Sequence, residues 1–297
     1  MLKIKLGILV LVFGAIGHAN AQDLLSILDN ETADTPYVPA TFKMTRIAFG
    51  HSTEVRPKNV LEIFVANRFW NLPTESSQSF VADRMNSRIA LEYSFSDRLT
   101  FGLGASTFDH LFDGFLKYRL ALQKGGDKGW PVTITLFQNA SYDSSAIPDQ
   151  TISDGFSDRV AFTTQVLISR RFSKNFSFQL SPTLVNRSLG LANEDPTSIF
   201  ALGAGLRYKL GSHVSFVTEY YARFNELESR ETFSPVAFGV NWELGDLMLQ
   251  FMLTNSWFMV EDSFITKPRF NFNFRNPNLN FGFNATYVIH FKNRLKP

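Results

Sequence analysis

Polar and apolar residues alternate along the chain from about residue 58 to its end. In the last of these runs, every second residue from Leu279 to Phe291 is apolar, and the residues between them are mostly small or polar. A period of two places successive side chains on opposite faces of a β-strand. The pattern therefore predicts strands that have one apolar and one polar face.

We predict twelve such strands, and several of them contain ten or more residues. A strand of a soluble protein usually has about 5 to 6 residues, whereas about 9 to 11 residues cross a bilayer. Short polar turns also alternate with longer connections, as in outer-membrane barrels. The predicted strands are 58–70, 86–96, 99–107, 112–123, 131–142, 158–172, 176–187, 198–210, 214–225, 235–244, 247–258 and 278–291.

A thirteenth alternating stretch, at Phe270, Phe272 and Phe274, is assigned to a loop because an odd count would leave the C-terminus outside the cell. Polar residues also interrupt the apolar face, namely Asn67, Gln138, Arg170 and Asn255.

The predicted fold class is all-β: a transmembrane antiparallel β-barrel of about 12 strands with an N-terminal segment outside the barrel. In hydrocarbon each unpaired backbone group costs several kcal/mol, so strands can span a membrane only as a closed barrel. The alternative is a soluble protein of two packed sheets whose alternate face fills a core.

The first 21 residues have the features of a secretory signal peptide. Lys3 and Lys5 precede an apolar run from Leu6 to Ile16, and the segment closes on Ala19-Asn20-Ala21. We expect cleavage near Ala21 and residence in the outer membrane of a Gram-negative bacterium. The predicted domains are therefore the signal peptide (1–21), a periplasmic or plug-like segment (22–57) and the barrel (58–297).

Composition excludes several classes of function. The chain has no cysteine, which excludes a lipid-bearing Cys, a disulfide framework and a thiolate metal site. Loss of Lys3 and Lys5 with the signal peptide would leave equal numbers of basic and acidic residues, so no basic face for nucleic acid is expected. The histidines show no metal-ligand spacing. We expect no cofactor and no metal.

Several short motifs resemble an uncharacterised family of bacterial outer-membrane β-barrels, catalogued as a domain of unknown function. They are Tyr37-Val38-Pro39-Ala40-Thr41-Phe42-Lys43, Thr45-Arg46-Ile47, Gly50-His51-Ser52-Thr53-Glu54, Leu91-Glu92-Tyr93, Asp97-Arg98-Leu99-Thr100 and Asp113-Gly114-Phe115-Leu116-Lys117-Tyr118. The resemblance covers nearly the whole mature chain. It implies a fold and a location, but no substrate and no catalytic residues.

The segment ahead of the barrel is acidic at its start. Asp23, Asp29, Glu31 and Asp34 lie in a stretch from Gln22 to Phe42 that contains no Lys or Arg. If the polar faces line a basic lumen, this charge favours insertion. We predict that residues 22–57 pack against or inside the barrel as a plug. The alternative is a mobile tail that contacts a periplasmic or envelope protein.

The predicted inward face carries many charged residues, which would form either an anion-favouring solute path or an ion-pair network without a channel. The candidates are Arg68, Arg88, Glu92, Asp113, Lys117, Arg119, Arg159, Arg171, Arg207, Lys209, Glu219, Arg223 and Glu243.

Two functions of different classes follow. The first is a small-solute channel or a membrane anchor for an envelope assembly, in contact with outer-membrane lipid and without enzymatic activity. The second is an outer-membrane lipid hydrolase that uses His51, Ser52 and Glu54, the chain's one cluster of a histidine, a serine and a carboxylate. Neighbouring residues of an extended chain face opposite ways, which argues against a triad there.

Overall fold

The computed structural model describes residues 40–72, 82–125, 130–145, 155–188, 190, 192, 194–272 and 279–291. The predicted signal peptide and the acidic start of the next segment lie outside these residues, so both predictions stand untested by the structure.

Twelve strands account for most of the described residues. They are β1 (Val60–Trp70), β2 (Arg84–Ser94), β3 (Leu99–Ser106), β4 (Leu111–Ala121), β5 (Thr133–Asp143), β6 (Val160–Arg171), β7 (Phe176–Arg187), β8 (Ser198–Lys209), β9 (Val214–Arg223), β10 (Val236–Leu244), β11 (Leu247–Thr254) and β12 (Asn280–His290). A 3₁₀ helix (Phe156–Arg159) precedes β6, and a short α-helix, α1 (Glu261–Thr266), lies between β11 and β12. No helix in the described ranges is long and apolar enough to cross a membrane.

The strands form one closed antiparallel barrel. Each strand pairs with its neighbours in the chain, and β1 closes the ring by pairing with β12 from Val60 opposite His290 to Phe69 opposite Phe281. The predicted fold class and strand number are confirmed. Phe270 and Phe272 lie outside the strands, as predicted, whereas Phe274 is not among the described residues.

The two faces of the barrel differ in chemistry. The outward face presents large apolar side chains, of which Ile89 and Leu91 in β2 are 58% and 50% exposed. The intervening residues of the same strand, such as Arg88 and Glu92, are buried inside the ring. A closed ring satisfies the backbone groups and an apolar exterior suits hydrocarbon, which are the two requirements for spanning a membrane.

Asn67 and Gln138, two of the polar residues predicted on the outward face, are paired with side chains of the neighbouring strand, and Arg170 lies over the ring of Phe172. The Ser87 hydroxyl donates to Asn67 at 2.5 Å, and the Thr164 hydroxyl donates to Gln138 at 2.6 Å. The placement of Asn255 on this face was wrong: it follows β11, is fully buried and donates to the carbonyls of Ser234 and Phe270. The chain turns inward after Thr254, which ends the alternation.

The connections also differ between the two ends of the barrel. The turns after β2, β6, β8 and β10 have two to four residues and lie at the end where β1 starts and β12 finishes. The connections after β1, β5, β7, β9 and β11 are longer and lie at the opposite end; the connection after β4 (122–132) is a long one at the first end, and the connection after β3 (107–110) is a short one at the opposite end. We refer to these as the short-turn end and the long-loop end.

Candidate functional site

Residues 40–57 fold into a hairpin just before β1. Arg46 and His51 form an isolated antiparallel bridge, and the amide of Ile47 donates to the carbonyl of Gly50 at 2.9 Å. The amide of Ser52 donates to the Thr45 carbonyl at 2.8 Å. We call these residues the lumen hairpin, and its tip is Ile47 to Gly50.

The tip of the lumen hairpin binds one carboxylate of the barrel wall. Oε2 of Glu219 in β9 accepts hydrogen bonds from the amides of Ala48, Phe49 and Gly50 at 3.0, 2.7 and 3.1 Å. Convergent backbone amides of this kind form an anion-binding nest. The Tyr221 hydroxyl donates to the other carboxylate oxygen at 2.9 Å. Position 50 needs glycine, because a Cβ there would overlap this hydroxyl.

Wall side chains also bind the main chain of the two arms. Gln179 in β7 accepts from the Thr53 amide and donates to the His51 carbonyl, both at 2.9 Å. Lys117 in β4 donates to the carbonyl of Glu54 at 2.6 Å. Lys117 also donates to the Thr45 carbonyl, and three such contacts come from other strands: Thr135 to Thr53, Gln250 to Ile47 and Asn284 to Ala48, in each case to the carbonyl.

Ion pairs join the side chains of the lumen hairpin to the wall. Arg46 lies 2.8 Å from Glu92 of β2, and both side chains are 2% exposed. Arg56 lies 3.0 Å from Glu62 of β1. Lys43, which is half exposed, lies 2.5 Å from Glu243 of β10. The buried pair needs both partners, since loss of one would leave an uncompensated charge.

The lumen hairpin thus touches the barrel on all sides. Its polar contacts reach ten of the twelve strands, through Glu62 (β1), Glu92 (β2), Lys117 (β4), Thr135 (β5), Ser169 (β6), Gln179 (β7), Glu219 (β9), Glu243 (β10), Gln250 (β11) and Asn284 (β12). A segment that reaches so many strands of one closed ring lies inside the ring.

The connection between β11 and β12 enters the lumen from the long-loop end. All six residues of α1 are buried. Phe264 of α1 stacks on Phe49 of the hairpin tip, with ring centroids 5.0 Å apart. Asp262 pairs with Arg187 of β7 at 2.7 Å. The lumen is therefore occupied from both ends, and the two occupants meet in the middle.

A group of charged side chains lies where the two occupants meet. Oε1 of Glu261 in α1 is 3.8 Å from Arg46 and 3.7 Å from His51 of the lumen hairpin. Burial raises the pKa of Glu261 to about 7, although Arg46 opposes this shift. Burial also lowers the pKa of His51, and the nearby Arg46 and Lys117 add to that shift.

Several of the charged residues predicted on the inward face are paired within the wall. Arg88 forms a two-pronged ion pair with Asp113, whose Nη2–Oδ2 distance is 2.8 Å. Arg207 lies 3.3 Å from Glu243. Arg68 is buried without a carboxylate partner in the described part of the chain, and its Nη1 donates to Asn284 at 2.8 Å.

The remaining predicted cations lie towards the two ends. At the short-turn end, Arg119 donates to the carbonyl of Asp97. Arg171 donates to the carbonyls of Ser173 and Lys174. Lys209 is the last residue of β8, at the same end. At the long-loop end, Arg223 donates to Thr232. Arg159 lies in the 3₁₀ helix and not on a strand, because β6 begins one residue later.

The neutral groups Gln179, Gln250, Asn284 and Thr135 were absent from the predicted site, although they carry much of the contact with the lumen hairpin. They stand at inward positions of their strands. The alternation of inward and outward positions along each strand is therefore enough to place them in the lumen. They were omitted because only charged residues were chosen as candidates for the site.

The geometry of His51, Ser52 and Glu54 gives no support to the hydrolase hypothesis. The His51 ring packs between Phe115 and Phe137, with centroid distances of 4.4 and 4.5 Å. The Ser52 hydroxyl donates to the Met44 carbonyl at 2.7 Å. One carboxylate oxygen of Glu54 accepts from the amides of Thr41 and Phe42. The three groups thus serve other partners, inside the barrel and away from lipid.

A small cavity lies at the long-loop end. It has a volume of about 150 Å³, and charged side chains of both signs, among them Asp143, Arg159, Arg187, Asp262 and Lys267, line it. Within the described ranges, no group of three or more His, Cys, Asp or Glu side chains could hold a metal ion.

Several solved structures of outer-membrane channels match the chain at low sequence identity and with TM-scores below 0.5. The KdgM porin matches with a TM-score of 0.47 and 9% identity, over 77% of this chain and 99% of its own. An outer membrane channel from Pseudomonas putida F1 matches with a TM-score of 0.45 and 15% identity, over 80% and 97%. The CymD monoaromatic hydrocarbon channel gives 0.36 and 7%, over 80% and 90%. No curated protein matches the sequence.

The location of the protein follows from its form. An even number of antiparallel strands, an apolar exterior, and short turns at one end with longer loops at the other are features of barrels in the outer membrane of Gram-negative bacteria. The protein resides in that membrane, in contact with its lipid.

The model of one protein family covers most of the chain. The family is described as "Membrane bound beta barrel domain (DUF5777)", and its model matches residues 42–289. The match begins within the lumen hairpin and extends into the last strand. The resemblance noted in the sequence is confirmed, and the chain belongs to this family of membrane-bound β-barrels.

Proposed function

We propose that the protein is a small-solute channel of the outer membrane, held closed in this conformation by the lumen hairpin. One observation carries the proposal: the inward face is polar, and a segment that is not part of the barrel wall supplies many of its hydrogen-bond partners. A barrel that served only as an anchor could fill its interior with apolar side chains of its own strands. The polar side chains of this interior can be hydrated by water once the segment leaves.

The energetic argument concerns buried polar groups. Such groups must be hydrogen-bonded, to protein or to water. Glu219, Gln179 and Lys117 are each at most 2% exposed and have partners in the lumen hairpin. Water entering a vacated lumen can replace these partners, so opening exchanges protein–protein for protein–water hydrogen bonds. The net cost of each exchange is about 0.5–1.5 kcal/mol for a neutral group such as Gln179 and about 1.5–3 kcal/mol for a charged group such as Glu219 or Lys117.

The lumen hairpin accounts for closure at the short-turn end. It joins β1 through Pro57, Lys58 and Asn59, of which Pro57 and Lys58 are exposed. Withdrawal towards that end would leave the strand pairs of the barrel intact, because the hairpin contributes no strand to the ring. Opening from the other end requires α1 to move as well.

The charge pattern of the wall modifies the anion-favouring hypothesis. Arg88 and Arg207 have carboxylate partners in the wall itself, whereas Glu62 and Glu92 have their arginine partners in the lumen hairpin. Arg119 of the wall lies 3.9 Å from Glu54 of the hairpin, and Lys117 donates to the Glu54 carbonyl, so withdrawal of the hairpin would uncover charges of both signs. We propose that the open lumen has no marked anion preference.

The second candidate is a membrane anchor whose lumen stays closed. It is favoured by the second occupant, since α1 is fully buried and its Asp262 pairs with Arg187 of the wall. The lumen hairpin and α1 both block the lumen and pack on each other through Phe49 and Phe264, whereas a gate needs only one blocking segment.

A reversible cross-link separates the two candidates. The hydroxyls of Thr53 and Ser169 are 2.6 Å apart, and the chain has no cysteine of its own. The double variant Thr53→Cys/Ser169→Cys should form a disulfide that fixes the lumen hairpin to β6. In planar bilayers we expect no conductance in the oxidised protein and channel openings after reduction.

A matched control uses two strands of the wall. The hydroxyls of Ser94 and Thr100 are 2.8 Å apart, so Ser94→Cys/Thr100→Cys joins β2 to β3 and leaves the lumen hairpin free. This variant should conduct in both redox states. If the wild type, the reduced cross-link variant and the control all stay silent over the whole voltage range, the anchor is the better description.

A further inference from the structure

We propose that the lumen wall is a peptide-binding surface and that the solutes of the channel are short peptides. The inference rests on the proposed function, because it names the class of molecule that would use the vacated lumen. It stands on a feature of the wall itself: six of its side chains bind the main chain of the lumen hairpin. They are Lys117, Thr135, Gln179, Glu219, Gln250 and Asn284.

Gln179 shows the character of this recognition. Its carboxamide accepts from the amide of Thr53 and donates to the carbonyl of His51, both at 2.9 Å. One side chain thereby serves a donor and an acceptor two residues apart, as a neighbouring strand would. Every residue except proline carries this donor and acceptor pair, so the contact does not depend on the side chains of the ligand.

Glu219 adds a requirement on shape. Its carboxylate receives three successive amides, which only a turn can bring together. The third of these positions must be glycine, because a Cβ at Gly50 would overlap the Tyr221 hydroxyl. The wall therefore selects a peptide that can form a tight turn with glycine at this position.

Two further contacts give a preference for side chains. Glu92 pairs with Arg46, which is four residues before the turn glycine, and Phe264 stacks on Phe49. Glu92 of the wall and Phe264 of α1 are both buried and would lose these partners if the hairpin left. The preferred ligand is a peptide with a basic residue four positions before a glycine and an aromatic residue immediately before that glycine.

The lumen hairpin in this view occupies the site as an internal ligand. An external peptide must compete with it, and the tether gives the hairpin a high effective concentration. A useful experiment must therefore remove the tether after the whole chain has folded. Pro57 and Lys58 are exposed and lie between the hairpin and β1, so a protease site inserted there can be cut in the folded protein.

The test measures displacement and not conductance. The full chain with the inserted site is purified in detergent, cut, and equilibrated with a fluorescent synthetic peptide of residues 40–57. Fluorescence anisotropy then reports displacement by unlabelled competitors. The native peptide is compared with the same peptide N-methylated at Phe49 and Gly50, with a peptide of equal length made of alanine and glycine, and with maltotriose as a polar solute that is not a peptide.

The expected order follows from the contacts. N-methylation removes two hydrogen bonds to a carboxylate, so that peptide should compete at least about tenfold more weakly than the native one. The alanine–glycine peptide retains the main chain alone and should compete within about a hundredfold. Maltotriose should not compete. Failure of the labelled peptide to enter, equal competition by the N-methylated peptide, or no competition by the alanine–glycine peptide would each overturn the proposal.

A pair of wall variants provides the matched control. Gln179 and Asn139 are both fully buried amide side chains of the lumen wall, but Asn139 donates to Asp113 of the wall. Gln179→Ala should weaken binding of the labelled peptide at least about fivefold, and Asn139→Ala by less than about twofold. Equal effects would contradict the proposal. Because these measurements need no current, peptide binding can fail while conductance succeeds, or the reverse.

Discussion

Glu219 and Phe49 stand 170 positions apart in the sequence, yet the Phe49 amide donates to the Glu219 carboxylate at 2.7 Å inside the barrel. With the amides of Ala48 and Gly50, this contact fixes the tip of the lumen hairpin on the wall of β9. A buried carboxylate with three amide donors is well satisfied, whereas amides without it would be left unpaired away from water. The relationship explains how a short segment can be held firmly inside a polar lumen.

Glu219→Ala should therefore loosen the lumen hairpin without opening the barrel. The variant leaves three buried amides without an acceptor, a cost of about 1–3 kcal/mol for each unsatisfied group. Arg46 is 2% exposed and should resist trypsin in the wild type. We expect cleavage after Arg46 to be at least about tenfold faster in Glu219→Ala. Asn139→Ala, at an equally buried wall position whose side chain donates to Asp113 of the wall, should leave the cleavage rate unchanged.

The outward belt can be tested with an introduced charge. Ile89 lies at the middle of β2 on the outward face, and Phe95 lies just after the end of the same strand. Arginine at mid-membrane destabilises a barrel by about 2–4 kcal/mol, and by about 0–1 kcal/mol near the interface. Ile89→Arg should lower the urea midpoint of unfolding in lipid vesicles much more than Phe95→Arg. Equal effects would mean that the middle of β2, where Ile89 lies, is not at the centre of the apolar belt.

Gly104 in β3 is predicted to be intolerant of alanine. A Cβ at this position would lie 2.6 Å from Cζ of Arg88, whose guanidinium pairs with Asp113. Displacement of the guanidinium disturbs a buried ion pair, so Gly104→Ala should destabilise the barrel by about 1–3 kcal/mol. Gly211 has no atom within 4 Å of such a Cβ. Heating unfolds such a barrel and changes its mobility in a denaturing gel. Gly104→Ala should lower the temperature of this change, whereas Gly211→Ala should leave it unchanged.

The contact between the two occupants of the lumen should depend on pH. Burial raises the pKa of Glu261 from 4.5 to about 7, so the folded protein retains a proton that the unfolded chain has released. The stability that this protonation contributes is present below about pH 4.5 and is lost as the pH rises towards 7. Arg46 and His51 of the hairpin and Arg88 and Asp113 of the wall also act on this carboxyl.

Glu261→Gln isolates this dependence. The amide cannot ionise, so the free energy of unfolding of the variant, relative to wild type, should rise by on the order of 2 kcal/mol from pH 5 to pH 8. His51 lies 3.7 Å from Glu261, and its lowered pKa removes stability as the pH falls, which is the direction opposite to the effect of Glu261. A difference between the two proteins that stays constant with pH would contradict this account.

The sequence predicted the fold because barrels in membranes obey local rules. The alternation along β2 and β12 marks one apolar face whatever the neighbours are, and parity then places Arg88, Glu92 and Lys117 inside. The rule failed where the chain leaves the strand. Asn255 and Arg159 were assigned by extending the alternation past Thr254 and ahead of Val160, where the backbone turns.

By itself, the sequence determined the ring: its strand number, its two faces and the membrane that surrounds it, since alternation with a period of two is a property of neighbouring residues. Only the tertiary structure decided what fills the ring. The partners of Arg46, Glu219 and Glu261 come from distant parts of the chain and meet only after the barrel has closed. Charge composition cannot specify such pairs, because each depends on the register of strands that lie far apart in sequence.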